Sequence, residues 1–216
     1  MTFDVLIVCS FNVCRSPLAA ALLLERLGGE SAHDVTVASA GIDAVDGHAM
    51  CPTMVRMALS DGRAPLLERA TLESHRSRHL TVELVRRADL VLTADRHVRS
   101  EVVKLEHGAA VRAFTLREAA QLSSQTTSAV AGCTLPDRMR AMTSALHQNR
   151  GLTELPRVTR VPLLAPPWRW PRVHAHDIPD AHQREQAPHR LVLDLAVRAA
   201  DRVVARFPAS TDGSPA

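Results

Sequence analysis

Cys9-Ser10-Phe11-Asn12-Val13-Cys14-Arg15-Ser16-Pro17 follows an apolar run, Asp4-Val5-Leu6-Ile7-Val8, and precedes a stretch rich in alanine and leucine. The run reads as a central parallel strand over 4–8. Pro17 suits the first turn of a helix whose body covers 18–27 and stops at Gly28-Gly29. The unit is therefore strand, tight loop, helix, with a thiol and a guanidinium at the two ends of the loop. Such a loop fits a phosphate-sized anion: its amides and the helix N-terminus point at the ligand, and the arginine fork takes two of its oxygens. The same positive field favours the nucleophilic thiolate of Cys9. A cysteine closing an apolar strand is, taken alone, usually a small buried hydrophobe. Arg15 at this spacing and the Ser16-Pro17 helix start turn the balance toward chemistry.

Working outward, strands are expected over 35–38, 89–92 and 110–114, with helices over 52–59, 82–87 (capped by Thr81), 95–105 and from 115. Strands alternating with helices imply parallel βαβ units and an α/β fold: a three-layer sandwich around a four-stranded parallel sheet, flavodoxin-like, with the loop at the carboxyl edge of its first strand. A polar loop over 123–134 leads to a helix over 136–149 with Met139, Met142 and Leu146 on one face. Residues 155–179 are proline-rich, contain Trp168 and Trp170, and read as an irregular or lid-like loop. An amphipathic helix over 189–207 and a frayed tail over 208–216 complete the chain. The expected organisation is a single domain over 1–207, with 123–176 as an extended insertion.

The 216 residues suffice for one sizeable core. A net charge of +3, with Lys104 the only lysine and aromatic residues at 3%, argues against a nucleic-acid partner. No span or leader is read at the N-terminus, so no membrane partner and a cytoplasmic location are expected. Cys9, Cys14, Cys51 and Cys133 form no CxxC pair, and His174, His176, His182 and His189 have no ligand spacing on one face. Cys51 and Cys133 read as ordinary thiols and the four histidines as solvated loop residues; no metal and no cofactor is expected. Arg76, Arg78, Arg86 and Arg87 read as a solvated surface.

The Cys9–Pro17 segment in this setting resembles the low-molecular-weight protein tyrosine phosphatase family. The likeness extends to Val37-Ala38-Ser39-Ala40-Gly41, to Ser74-His75-Arg76-Ser77-Arg78-His79-Leu80-Thr81, to Ala88-Asp89-Leu90-Val91-Leu92-Thr93-Ala94-Asp95, and to Asp177-Ile178-Pro179-Asp180. The resemblance implies hydrolysis of a phosphomonoester. In it Cys9 is the nucleophile forming a phosphocysteine, Arg15 and the amides of Ser10, Phe11, Asn12, Val13 and Cys14 hold the phosphate, and Asp180 is the general acid and base. Asp180 is favoured over Asp177 by the family register. Asn12, Ser16, Ser39 and His75 match the residues that hold the loop in shape, and Cys14 matches a second cysteine that shields Cys9 through a reversible disulfide. The implied partner is a phosphorylated protein, a tyrosine kinase among the candidates; the oligomeric state is not legible.

The chain also departs from the family. Phe11 stands where glycine is usual, Ala181 replaces the proline after the general acid, and there is no tyrosine. Val13 favours phosphotyrosine, since members directed at phosphoarginine tend to carry threonine there. Two rival readings remain: arsenate reduction on the same fold, against which Cys51 and Cys133 lie outside the usual relay spacing, and a phosphoprotein-binding module that has lost turnover, suggested by Phe11 and Ala181.

Overall fold

The computed structural model describes residues 2–28, 34–125, 134–152, 158–160, 172–182 and 187–205. Four strands, β1 (Phe3–Cys9), β2 (Val35–Gly41), β3 (Leu90–Thr93) and β4 (Ala113–Thr115), form one parallel sheet in the order β2-β1-β3-β4. Cys9 is in register with Gly41, and Val8 with Thr93, so the carboxyl ends of the three neighbouring strands meet at one edge. A parallel sheet needs cover on both faces, and side chains along β1 alternate to meet that need. Phe3, Val5 and Ile7 pack with Leu90, Leu92 and Phe114 against α1 (Arg15–Leu27), α2 (Pro52–Leu59), α6 (Leu116–Gln125), α7 (Leu135–Asn149) and α8 (His189–Val204). Leu6 and Val8 pack with Val91 and Ala113 against Val85 of α4 (Val82–Arg87) and Val98 and Val102 of α5 (Arg96–Leu105). The result is the three-layer α/β sandwich. Fully buried Leu18 and Leu22 of α1 each contribute about 1.5–3 kcal/mol of transfer free energy to it.

Local chemistry explains the element ends. Thr81 caps α4 and Asp95 caps α5, each accepting an N–H at the third residue beyond it. Thr115 and Glu118 form a reciprocal capping box, Glu118 N–H to Thr115 Oγ1 and Thr115 N–H to Glu118 Oε2, both at 3.1 Å. Met139, Met142 and Leu146 of α7 are buried in the main core.

Several expectations are corrected. The fourth strand begins at Ala113, not at 110. Residues His107–Val111 form a 3-10 turn opened by the Glu106 carboxylate, which accepts the Gly108 N–H. A short helix, α3 (Arg69–Glu73), was not legible. Helix α6 runs through Ser123 and Ser124, whose hydroxyls bond back to carbonyls three residues earlier instead of opening a loop. Part of the proline-rich stretch is regular: β5 (Val158–Arg160) pairs antiparallel with β6 (Arg172–His174). Trp168, Trp170, Cys133 and the 208–216 tail lie outside the described residues. Among the described residues, no helix is long and apolar enough to cross a membrane.

Candidate active site

The loop after β1 is closed by its own backbone and by Gly41. Cys9 C=O accepts the Ile42 N–H at 3.0 Å, and Ser10 C=O accepts the Asp43 N–H at 2.9 Å. A Cβ on Gly41 would stand 2.5 Å from Ser10 O and 2.8 Å from Asn12 N, so β2 and the loop approach as closely as only glycine permits.

Asn12 is the hub of the loop. It is fully buried and, at φ 54°, is the one non-glycine residue with a left-handed backbone among the described residues. Its Oδ1 accepts the Arg78 N–H at 2.9 Å, which fixes the amide orientation. Its Nδ2 then donates to Ser16 Oγ and to Ser39 Oγ, both at 2.9 Å. His75 Nε2 lies 2.7 Å from Asn12 C=O; burial holds this imidazole below its ordinary range, which keeps it neutral and donating. Asn12, Ser16, Ser39 and His75 are thus brought together as expected. Arg78 is not a solvated arginine: it is half-buried and its Nε donates to Ser39 C=O at 2.7 Å.

Cys9 is buried, with Ser16 Oγ 3.0 Å from its sulfur and the Asn12 N–H donating to it at 3.3 Å. Because Asn12 occupies a lone pair of Ser16, the hydroxyl proton is left to serve the sulfur or Ala40 C=O, the latter at the longer distance of 3.3 Å.

Arg15 is the first residue of α1 and only 4% exposed. Nη1 donates to Asp95 Oδ2 at 2.7 Å and to Ile178 C=O at 3.1 Å; Nη2 donates to Ser10 Oγ at 3.0 Å and to Asp180 Oδ2. Burial works against its charge, but the Cys9 sulfur, Asp180 and Asp95 outweigh it and hold the guanidinium above its ordinary range. Asp180 reaches the site because the segment carrying it is docked on the sheet edge: Ile178 N–H donates to Ala94 C=O at 2.8 Å, and Ile178 and Ala181 are buried in the main core. Asp177 points elsewhere, pairing with exposed Arg96. Of the two candidate carboxylates, Asp180 is the one at the loop.

Phe11 is 37% exposed and does not stand among the buried loop residues; Val13 packs on the main core. Asp95 was missed as a functional residue. It both caps α5 and anchors Arg15, and the strand–Thr-x-Asp–helix pattern at Thr93-Ala94-Asp95 is the signal for such a cap.

The structure also brings two of the four histidines beside cysteines, a meeting the sequence does not show. Cys14, His182 and His189 bring ligand-type atoms within 4.8 Å of one another, and Cys51 Sγ lies 3.4 Å from His189 Nε2. Spacing along the chain hid this set, because the three residues come from the loop, the segment after Asp180 and the first residue of α8. Cys9, Cys14 and Cys51 are free thiols.

The family model of the low molecular weight phosphotyrosine protein phosphatases matches residues 4–132. The chain belongs to this family. It is 38% identical over 102 residues to a probable low molecular weight protein-tyrosine-phosphatase, EpsP, of Ralstonia nicotianae, covering 47% of this chain and 62% of that protein. It is 36% identical over 92 residues to the low molecular weight protein-tyrosine-phosphatase Etp of Escherichia coli, covering 43% of this chain and 54% of Etp. The matches therefore span somewhat more than half the length of these relatives. Among solved structures, the tyrosine phosphatase Wzb from Escherichia coli K30 in complex with phosphate is similar with a TM-score of 0.56 at 17% identity, over 96% of this chain and 99% of that one. YfkJ from Bacillus subtilis is similar with a TM-score of 0.59 at 14% identity, over 95% and 94%. At these identities the structures speak for the fold, which is the family's.

Proposed function

We propose that this family member hydrolyses phosphotyrosine in proteins through a phosphocysteine, with Cys9 as nucleophile, Arg15 as phosphate clamp and Asp180 as general acid and base. The observation that carries the reading is the convergence of one sulfur, one guanidinium and one carboxylate at the carboxyl edge of the sheet, from segments more than 160 residues apart in the chain. With Cys9 ionised, Ser16 O–H and Asn12 N–H donate to the sulfur. The thiolate attacks phosphorus, the S–P bond forms and the P–O bond to the aryl group breaks. Asp180 gives its proton to the departing oxygen, which otherwise leaves as a phenolate whose conjugate acid has a pKa of about 10. Asp180 then takes a proton from water, whose oxygen attacks phosphorus and returns the thiolate and inorganic phosphate. Arg15 and the loop amides of residues 10–15 hold the equatorial oxygens throughout.

The substrate is a tyrosine-phosphorylated protein, an autophosphorylated tyrosine kinase among the candidates, in a reducing cytoplasm that keeps Cys9 free. Cys14 is assigned as the partner of Cys9 in a protective disulfide.

The test is turnover of phosphotyrosine, phosphoarginine and phosphoserine peptides side by side. Preference for phosphotyrosine, loss of all turnover in Cys9→Ser and blockade by vanadate are expected. Full activity in Cys9→Ser would remove the mechanism. In Asp180→Asn the rate should fall most for the poorest leaving groups; an equal fall for all would remove Asp180 as the acid. Tight vanadate binding with no turnover would favour the binding-module reading.

A further inference from the structure

We propose that Cys14, His182 and His189 form a binding site for a zinc-class divalent ion, and that its occupation locks the Asp180 segment onto the cysteine loop. Three independent segments converge there. Cys14 is the N-cap residue of α1, is buried, and uses its side chain for no cap bond. His189 opens α8 and is half-buried, while His182 is exposed at the rim, which gives an ion a way in. The two rings stand edge to face with centroids 5.1 Å apart. Ligand atoms of all three residues fall within 4.8 Å of one another.

One thiolate and two imidazoles are the donor set of zinc, with a fourth position for water. Donors around a tetrahedral zinc, at about 2.1 Å for nitrogen and about 2.3 Å for sulfur, are about 3.5 Å apart. The ligands therefore need to close by about 1 Å, a movement within reach of exposed His182. The balance is simple. The Cys14 S–H bond breaks, its proton passes to buffer, and a sulfur–metal bond forms alongside two bonds from neutral imidazole nitrogens; no electron is transferred. Cys51, 3.4 Å from His189 Nε2, is placed to orient that ring.

The consequence for the loop follows from connectivity. Cys14 precedes Arg15, and the His182 N–H donates to Asp180 Oδ1 at 2.7 Å, while the other carboxylate oxygen is on Arg15. An ion bridging Cys14 and His182 therefore holds Asp180 against Arg15, and it also withdraws Cys14 from thiol chemistry.

The experiment uses the full chain in its reduced form and the Cys9→Ser variant, so that the nucleophile cannot supply the metal signal. Zinc is titrated in competition with a chromophoric chelator, and cobalt(II) is added separately to read a thiolate-to-cobalt charge-transfer band. One equivalent bound by both proteins is expected. Loss of the band in Cys14→Ser and at least about tenfold weaker binding in His182→Ala and in His189→Ala are expected as well. Absence of stoichiometric binding, loss of binding in Cys9→Ser, or affinity unchanged in both histidine variants would overturn the site. His182 is exposed, so His182→Ala tests the site without a burden on folding. Binding is read without turnover, so its failure is distinguishable from failure of the hydrolytic reading.

Discussion

Replacing Asn12 separates the two things this residue does, bonding and backbone conformation. In Asn12→Ala the side chain loses three hydrogen bonds, from Arg78 N–H and to Ser16 and Ser39. Each is worth about 1 kcal/mol net, and a buried N–H left without a partner adds about 1–3 kcal/mol. Alanine at φ 54° adds about 1–2 kcal/mol of left-handed strain that asparagine bears more easily. The expected loss is about 5–8 kcal/mol, a large fraction of a typical stability of about 5–15 kcal/mol. Asn12→Gly loses the same bonds but not the conformational fit. After deduction of glycine's extra unfolded-state entropy it should be more stable than Asn12→Ala by about 0.5–1 kcal/mol. Urea midpoints of the three proteins at constant slope give the stabilities. Aryl phosphate turnover gives the second readout. Without Nδ2 on Ser16, its hydroxyl proton is free to turn to Ala40 C=O, and kcat should fall about tenfold, about 1.4 kcal/mol. An alanine variant as stable as the glycine one, or either within about 0.5 kcal/mol of the parent, would refute the reasoning, since effects that small are what featureless surface positions give.

Three further outcomes are expected. Gly41→Ala drives a Cβ into Ser10 O and Asn12 N, backbone atoms that cannot swing aside, so it should cost about 2–3 kcal/mol and most of the activity; a parental urea midpoint with parental kcat would contradict the close approach. Asp95→Asn removes a charge-assisted bond to Arg15 worth about 1.5–3 kcal/mol, so kcat/KM for an aryl phosphate should drop about 10–100-fold, and an unchanged value would show that Asp95 does no more than cap α5. His75, His176 and His189 are all held below the ordinary histidine value by burial. The unfolded chain then takes up protons first, so their stabilisation is complete above about pH 6.5 and is lost as pH falls below it. Thermal midpoints should decline from pH 7 to pH 5, less steeply in His75→Gln, and an identical slope in that variant would remove His75 from the account.

What was legible in the sequence is what is contiguous in it. The strand, loop and helix from Asp4 to Leu27 carry their thiol, guanidinium and helix-starting proline in one stretch, and the alternation of strands and helices fixes parallel topology through βαβ handedness and cover. Asp180 was reachable only through resemblance; spacing chemistry does not separate it from Asp177, and the fold does so by docking Ile178 on Ala94 C=O. Short elements escaped for want of period: α3 has one buried residue, Leu72, and β4 has three residues. Arg78 read as surface because its partners, Asn12 Oδ1 at its backbone and Ser39 C=O at its side chain, are 66 and 39 residues away. The meeting of Cys14, His182 and His189 depends on the packing of α8 beside α1 and could not be read from any local window.

The charge arrangement around Arg15 points to which contact must yield when a phosphate arrives. Both planar nitrogens of its fork are engaged, Nη1 by Asp95 and Ile178 C=O, Nη2 by Ser10 and Asp180. Asp95 is pinned from behind, because its other oxygen accepts the Val98 N–H at the start of α5, so moving it would uncap a helix. Asp180 has no such anchor: its second oxygen is bonded to the N–H of His182 in its own segment, so carboxylate and segment can move as one. In the proposed mechanism an incoming phosphate oxygen therefore replaces Asp180 at Nη2 while Asp95 continues to aim the guanidinium. The displaced carboxyl group is left next to the oxygen that will leave, where a proton donor is needed. In the proposed mechanism the general acid is in this way stored on the phosphate clamp and delivered by the substrate's own binding, and a mutation that merely loosened the Arg15–Asp180 pair should lower both KM and kcat: easier entry for phosphate, poorer placement of the acid.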